Sequence, residues 1–160
     1  MGNTVRSASV KSSLAGFERK MVIFNVIAIV TMAIHDSDHL RQASNMNYTM
    51  PIQVAVILLS AFLPLFASIW WATHGRLLWA TAATAAVTGG VLVSLSFVHL
   101  IGVERIWKPL GDVFGMWGTS YWDMGVDGVS WVAFVGLAVT YSWLLVATIR
   151  IRRAVTATTT

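Results

Sequence analysis

The chain has 160 residues, of which 56% are hydrophobic and 11% charged, with eight Trp, no Cys and a formal net charge of +4. So apolar a composition, gathered in blocks of about twenty residues, excludes an ordinary soluble domain and points to membrane spans. Without Cys there are no disulfides, thiolate nucleophiles, Cys-ligated zinc sites or iron–sulfur clusters, so any metal chemistry rests on His, Asp, Glu or Met.

Four apolar blocks predict an all-α integral membrane protein, a single four-transmembrane-helix antiparallel bundle over residues 1–160. The charges orient it. Arg6, Lys11, Arg19, Lys20, Arg76, Arg150, Arg152 and Arg153 fall at the N-terminus, in the second loop or at the C-terminus. Only Arg41, Arg105 and Lys108 fall in the first and third loops. Positive charge collects on the cytoplasmic side of membrane proteins, so both termini are expected there, in a multi-pass protein of the plasma (inner) membrane. The basic balance then reports topology and contact with anionic lipid of the bilayer, and no nucleic-acid partner is expected.

Residues 1–18 are polar, Ser-rich and basic, and are expected to remain cytoplasmic, with a short amphipathic helix over 10–19 on the inner surface. Arg6 stands where a myristoylation pattern needs Ser or Thr, so no lipid anchor is expected. No small-x-small cleavage site follows Ile34, which argues that the first apolar block is a retained span and not a signal peptide.

That first span, residues 19–42, is short of apolar length. Residues 21–34 make roughly 21 Å of helix against a hydrocarbon core of about 30 Å. To cross, the helix must carry His35, Asp38 and His39 into the outer edge of the bilayer. Ionisable groups there are costly, on the order of 2.5 to 3.5 kcal/mol for a charge at a helix centre and less near its end, so they mark a functional site by default. His35, Asp38 and His39 share one helical face, while Asp36 is turned aside by about 100°. Two imidazoles one turn apart suit a metal centre, and a carboxylate beside them serves as a third ligand or orients an imidazole N–H.

The loop 43–50 is short, so the first two spans are antiparallel neighbours. Pro51 opens the second span, 51–73; Pro64 is expected to kink it, and Trp70 and Trp71 lie at its inner interface. Asn25, mid-way along the first span, reads as a hydrogen-bonding tie between helices. The third span, 77–101, is rich in Ala, Thr, Ser and Gly, and Gly89-Gly90 is expected to admit a neighbouring backbone. Its outer end carries His99. Since spans one and three both run outward, His35, His39 and His99 are expected at one end, with His74 at the other. The loop 103–128 bears Glu104, Asp112, Asp123 and Asp127 among Trp, Tyr and Gly, and reads as an interfacial lid, its tryptophans as belt residues. The fourth span, 129–150, returns inward to a cytoplasmic tail, 151–160, and no internal repeat is evident.

The candidate metal ligands are therefore His35, Asp38, His39 and His99, with Asp36, Gln53 and Glu104 as supporting residues and Ser130 as a further polar neighbour. Imidazoles and carboxylates suit Zn, Cu, Ni, Co or Fe, and ligand type does not choose among them. Alternatively, His39 and His99 on facing helices form the bis-imidazole set of a b-type haem. Six of the seven acidic residues lie on the outer side, which makes that mouth attractive to cations.

Asp36-Ser37-Asp38-His39-Leu40 resembles the Asp-Ala-Asp-His-Ile core of the signature of nickel and cobalt permeases. The resemblance implies that Asp36, Asp38 and His39 handle a divalent transition metal. It covers those residues alone: the family's signature His stands three positions before the first Asp, whereas His35 directly precedes Asp36, and the family has more spans.

Three functions follow as expectations. The first is a metal-binding membrane protein acting in metal-dependent chemistry, metal handling or electron transfer. The second is a non-catalytic accessory subunit that packs against other membrane subunits, or against copies of itself, through the small-residue face of span three. The third is a proton-coupled transporter component. No nucleophile elbow, phosphate loop or dinucleotide fingerprint names a reaction, so enzymatic activity is left open.

Overall fold

The computed structural model describes the backbone of residues 2–159 and the side chains of residues 12–158; Arg6, Val10 and Lys11, used above for topology and for the surface helix, lie outside the described side chains. The described residues are helical, joined by turns and short connections, and contain no strand. The long elements are α1 (Gly2–Asn45), α2 (Ile52–Ser60), α3 (Phe62–Thr73), α4 (Leu77–Leu95) and α8 (Gly128–Thr159). Three stretches are long and apolar enough to cross a membrane: Ile52–Thr73, Leu77–Ile101 and Gly128–Thr158. α1 is not among these three; its apolar run is bounded by Lys20 and His35.

α1 packs on α8 and α3, while α4 packs on α3 and α8. The central cluster includes Met32, Leu65, Leu95, Leu137, Tyr141 and Leu144, all buried. At the end of the helices away from the histidines, Met21, Ala72, Leu77 and Ile151 form a second cluster, against which Leu14 and Phe17 pack. The expected surface helix is therefore not a separate element over its described residues: it continues α1, because Leu14 and Phe17 find apolar partners one and two turns before Met21.

Asn25 does tie the helices together. Its amide donates to Ser68 Oγ at 3.0 Å and accepts from Thr84 Oγ1 at 3.0 Å, joining α1, α3 and α4 in the apolar interior. The second apolar stretch is interrupted at Ala61, between α2 and α3. Pro64 supplies the cause: its ring clashes with the carbonyl four residues earlier, that of Ser60, and it donates no N–H to it.

Beyond α4 the chain turns through a π-helical segment, Ser96–Ile101, closed by the Gly102 amide donating to Phe97 O at 2.9 Å. The expected lid of residues 103–128 is mostly short helix: α5 (Val103–Ile106), α6 (Lys108–Phe114), a 3₁₀ turn (Gly115–Gly118) and α7 (Tyr121–Met124). Ser120 caps α7, accepting from the Asp123 amide at 3.3 Å, and Arg105 donates to Asp123 at 2.7 Å, binding α5 to α7. Gly111 lets α6 lie directly on α5, since a Cβ there would stand 2.5 Å from the Glu104 Cα.

Gly89 and Gly90 behave differently from expectation. Nothing lies within 4 Å of a Cβ built at either position, so neither marks a close helix crossing, and Gly90 instead borders a cavity.

Gly111→Ala is expected to destabilise the protein by about 1–3 kcal/mol through overpacking against backbone. Gly90→Ala, in open space on a helix, should be neutral or stabilising by up to about 1 kcal/mol. Thermal unfolding of both variants in the same detergent measures the contrast; equal melting temperatures would contradict the packing described.

Candidate metal centre

α1 presents His35 and His39 one turn apart, and the π-helical segment brings in His99 from the facing element. π-helical turns are frequent at functional sites. All three imidazoles are buried, at 4%, 4% and 7% exposure. Ring centroids are 4.5 Å apart for His35 and His39, 5.2 Å for His35 and His99, and 5.2 Å for His39 and His99. One ligand nitrogen from each lies within 4.8 Å of the other two, so the trio could hold a metal ion. The three histidines expected at one end of the helices are thus brought together, His35 and His39 by helical spacing and His99 by the π-helical segment.

The surroundings of the nitrogens matter as much as the distances. His35 Nδ1 lies 3.3 Å from Asp36 Oδ1, an arrangement in which the carboxylate accepts the Nδ1 proton and leaves Nε2 with its lone pair. His35 Nε2 and His39 Nδ1 are buried without a hydrogen-bond partner among the described residues. Aromatic rings from residues 103–128 close one side: Trp117 packs edge-on to His39 with centroids at 4.9 Å, and Tyr121 stacks on His99 at 4.3 Å. Trp117 is 4% exposed, so it is a wall of this site and not a belt residue.

Asp38 faces a different set of partners. Its Oδ1 accepts from Arg41 Nε at 2.8 Å, and its Oδ2 accepts from Gln42 Nε2 at 2.6 Å. Gln42 also donates to Ser130 Oγ at 2.9 Å, and the Arg41 guanidinium donates through both Nη atoms to Asp127, each at 2.7 Å. Asp127 in turn caps α8, accepting from the Ser130 amide at 3.1 Å. Hydrogen bonds from Arg41 and then from the Ser130 backbone hold the Asp127 carboxyl well below the usual carboxylate range. This network fastens the C-terminal end of α1 to the start of α8.

The other candidates are more remote. Gln53 is exposed on α2, and Glu104 is exposed on α5, where it accepts from Thr119 at 3.5 Å. Ser130 is fully buried and belongs to the Asp38 network. His74, at the opposite end, is exposed and bonded to Trp70 O at 2.8 Å. The acidic groups at this end are largely compensated: Arg41 pairs with Asp38 and Asp127, Arg105 with Asp123, and Lys108 with Asp112. Asp36, beside His35, has no such cation partner among the described residues.

A cavity of about 290 Å³ adjoins the rings. Its walls include Met32, Val54, Leu58, Val91, Val98 and Leu137. The roles of Arg41, Gln42, Trp117 and Tyr121 were not apparent from sequence. The i,i+3 and i,i+4 spacing of Arg41 and Gln42 from Asp38 was a usable signal. For the two aromatics there was none, since helical turns of four residues are too short to show a periodicity that places them. Comparison of the chain with protein-family models, curated proteins and solved structures finds no match.

A depressed folded-state pKa stabilises above the unfolded value, near 4 for Asp, and that contribution is lost as pH falls through the folded value. Melting temperature should therefore drop with acidification below about pH 4 more steeply in the wild type than in Asp127→Asn. The variant should already be the less stable of the two at neutral pH. Parallel acid profiles of the two proteins would refute the pairing as a stabilising contact.

Proposed function

We propose that this protein is a four-span membrane protein with cytoplasmic termini, whose outer end binds a divalent transition-metal ion on His35, His39 and His99. The observation that carries the reading is the burial of three imidazoles with mutually close ligand nitrogens, two ring nitrogens of the trio being orphaned. An unsatisfied polar atom removed from water costs about 1–3 kcal/mol, and metal ligation removes that cost where no donor is available. The donor set fits such an ion: neutral nitrogen ligands suit zinc, copper, nickel, cobalt and iron, and a three-His set leaves coordination positions open.

In this reading Asp36 orients His35, as a carboxylate behind a ligating imidazole does. Asp38, although it shares the face of the histidines, acts through Arg41, Gln42 and Ser130 to hold α1 in register against α8. Trp117 and Tyr121 keep the rings from water. A bound ion would supply Lewis-acid polarisation or a lowered water pKa at the open positions, which serves metal-dependent chemistry as well as metal handling. Haem fits less well. Rings at 5.2 Å that also contact His35, Trp117 and Tyr121 leave no slot for a porphyrin between His39 and His99.

Protein purified in detergent should retain close to one transition-metal ion per chain by elemental analysis. His35→Ala, His39→Ala and His99→Ala should each abolish retention, while His74→Ala and Gln53→Ala should not. Asp36→Asn is expected to weaken affinity by roughly 10–100-fold, the usual effect of removing a partner of a ligating His. Circular dichroism and gel filtration establish that each variant is folded. Absence of metal from the wild type even after reconstitution, or loading indifferent to the histidines, would dispose of the reading.

A further inference from the structure

The cavity beside the imidazoles is closed on the side that faces the outer loop and open on another. Phe114 and Trp117 line it towards the outer segment, and Trp117 is buried. By contrast Ile57, Ser60, Gly90 and Ser94, which also border it, are exposed on the outer surface of α2 and α4. The opening thus lies between these two helices, where Ser60, Gly90 and Ser94 carry little or no side chain.

Its depth decides what the opening faces. Ser60 is the last of the nine residues of α2, roughly 13 Å along the helix from the outer end. Gly90 is eleven residues from Ile101, roughly 17 Å from the outer end of that stretch. In a hydrocarbon core of about 30 Å both positions fall near the middle. A gap at that level communicates with lipid tails and not with water.

We infer that the histidine centre takes a lipid-soluble ligand, an apolar chain bearing an oxygen head group, which enters sideways from the bilayer between α2 and α4. The inference deepens the proposed metal centre and rests on it. Hydroxyl, carbonyl or carboxylate oxygen is the head chemistry that open positions on an imidazole-bound ion accept, and His35, Asp36, His39 and His99 all border the same cavity. The chain lies along Met32, Leu58, Val91 and Val98. At about 290 Å³ the cavity is at the small end of the roughly 300–1,000 Å³ of small-molecule sites. It encloses the head and the first part of the chain, and the remainder extends among the lipids. This also accounts for Gly90, whose missing side chain serves no helix contact.

The test uses cobalt(II)-loaded full-length protein in lipid nanodiscs, with the visible d–d spectrum as readout and decanohydroxamate and acetohydroxamate as probes. They share one chelating head and differ in the chain. Gly90→Leu and Ser94→Leu place bulk in the opening without touching a ligand; a variant whose cobalt spectrum matches the wild type is the one read. Decanohydroxamate should bind such a variant about tenfold more weakly than the wild type, as expected for losing roughly two buried methylenes. Acetohydroxamate should bind both equally. Equal decanohydroxamate titrations in wild type and variant overturn the inference. A wild type that binds no cobalt overturns the metal centre instead, and a photoreactive fatty acid then decides the cavity in the metal-free protein: labelling of Leu58 or Val91 supports the lateral site, and labelling confined to the outer surface overturns it.

Discussion

Three imidazoles in an apolar interior, two of their ring nitrogens without a hydrogen-bond partner among the described residues, form the constraint around which this end of the helices is arranged. A buried polar atom without a partner is normally selected against because its lost hydration is not replaced. Here two such atoms belong to adjacent rings and sit beside a third ring of the same kind. A cluster of that chemistry is stable when a shared electrophile draws on its lone pairs, which is the basis of the proposed metal centre.

Much of the surrounding structure can be understood as support for that cluster. α1 carries two of its members past the end of its apolar run, and the Arg41 network compensates by fixing the polar end of α1 to α8. The π-helical segment re-aims the end of the third apolar stretch so that His99 meets the other two. Compact packing of α5 on α6, made possible by Gly111, and the Arg105–Asp123 pair then hold the segment that delivers Trp117 and Tyr121 over the rings. The deeper tie of Asn25 with Ser68 and Thr84 is a separate device, satisfied within itself, and differs from the histidine cluster in leaving no orphaned atom on its own members.

The polar and apolar parts of the site also divide by direction. Towards the outer loop, aromatic rings cover the imidazoles. Towards α2 and α4 the lining is aliphatic and the rim is made of small residues, with the Pro64 break passing at the same level through Ala61. A centre covered by aromatic rings on one side and by an aliphatic lining on the other is the basis of the proposed lipid-soluble ligand.

Composition and block length alone determined that the chain is helical and apolar enough to cross a membrane, because a run of about twenty apolar residues has few other stable arrangements. The shortage of apolar length before His35 singled out the stretch that matters, and helical spacing together with the direction of successive spans brought His35, His39 and His99 to one end. Those inferences rest on one-dimensional quantities, length and period, that sequence states directly. Which carboxylate serves which partner was a tertiary decision. Asp38 shares the face of the histidines by helical angle, yet Arg41 and Gln42 engage it, themselves held to Asp127 and Ser130 by the packing of α1 on α8, while Asp36 lies against His35. Likewise the π-turn, the aromatic wall from the irregular segment and the open space at Gly90 depend on how non-adjacent helices meet. No local pattern encodes them, since each arises from contacts between residues far apart along the chain.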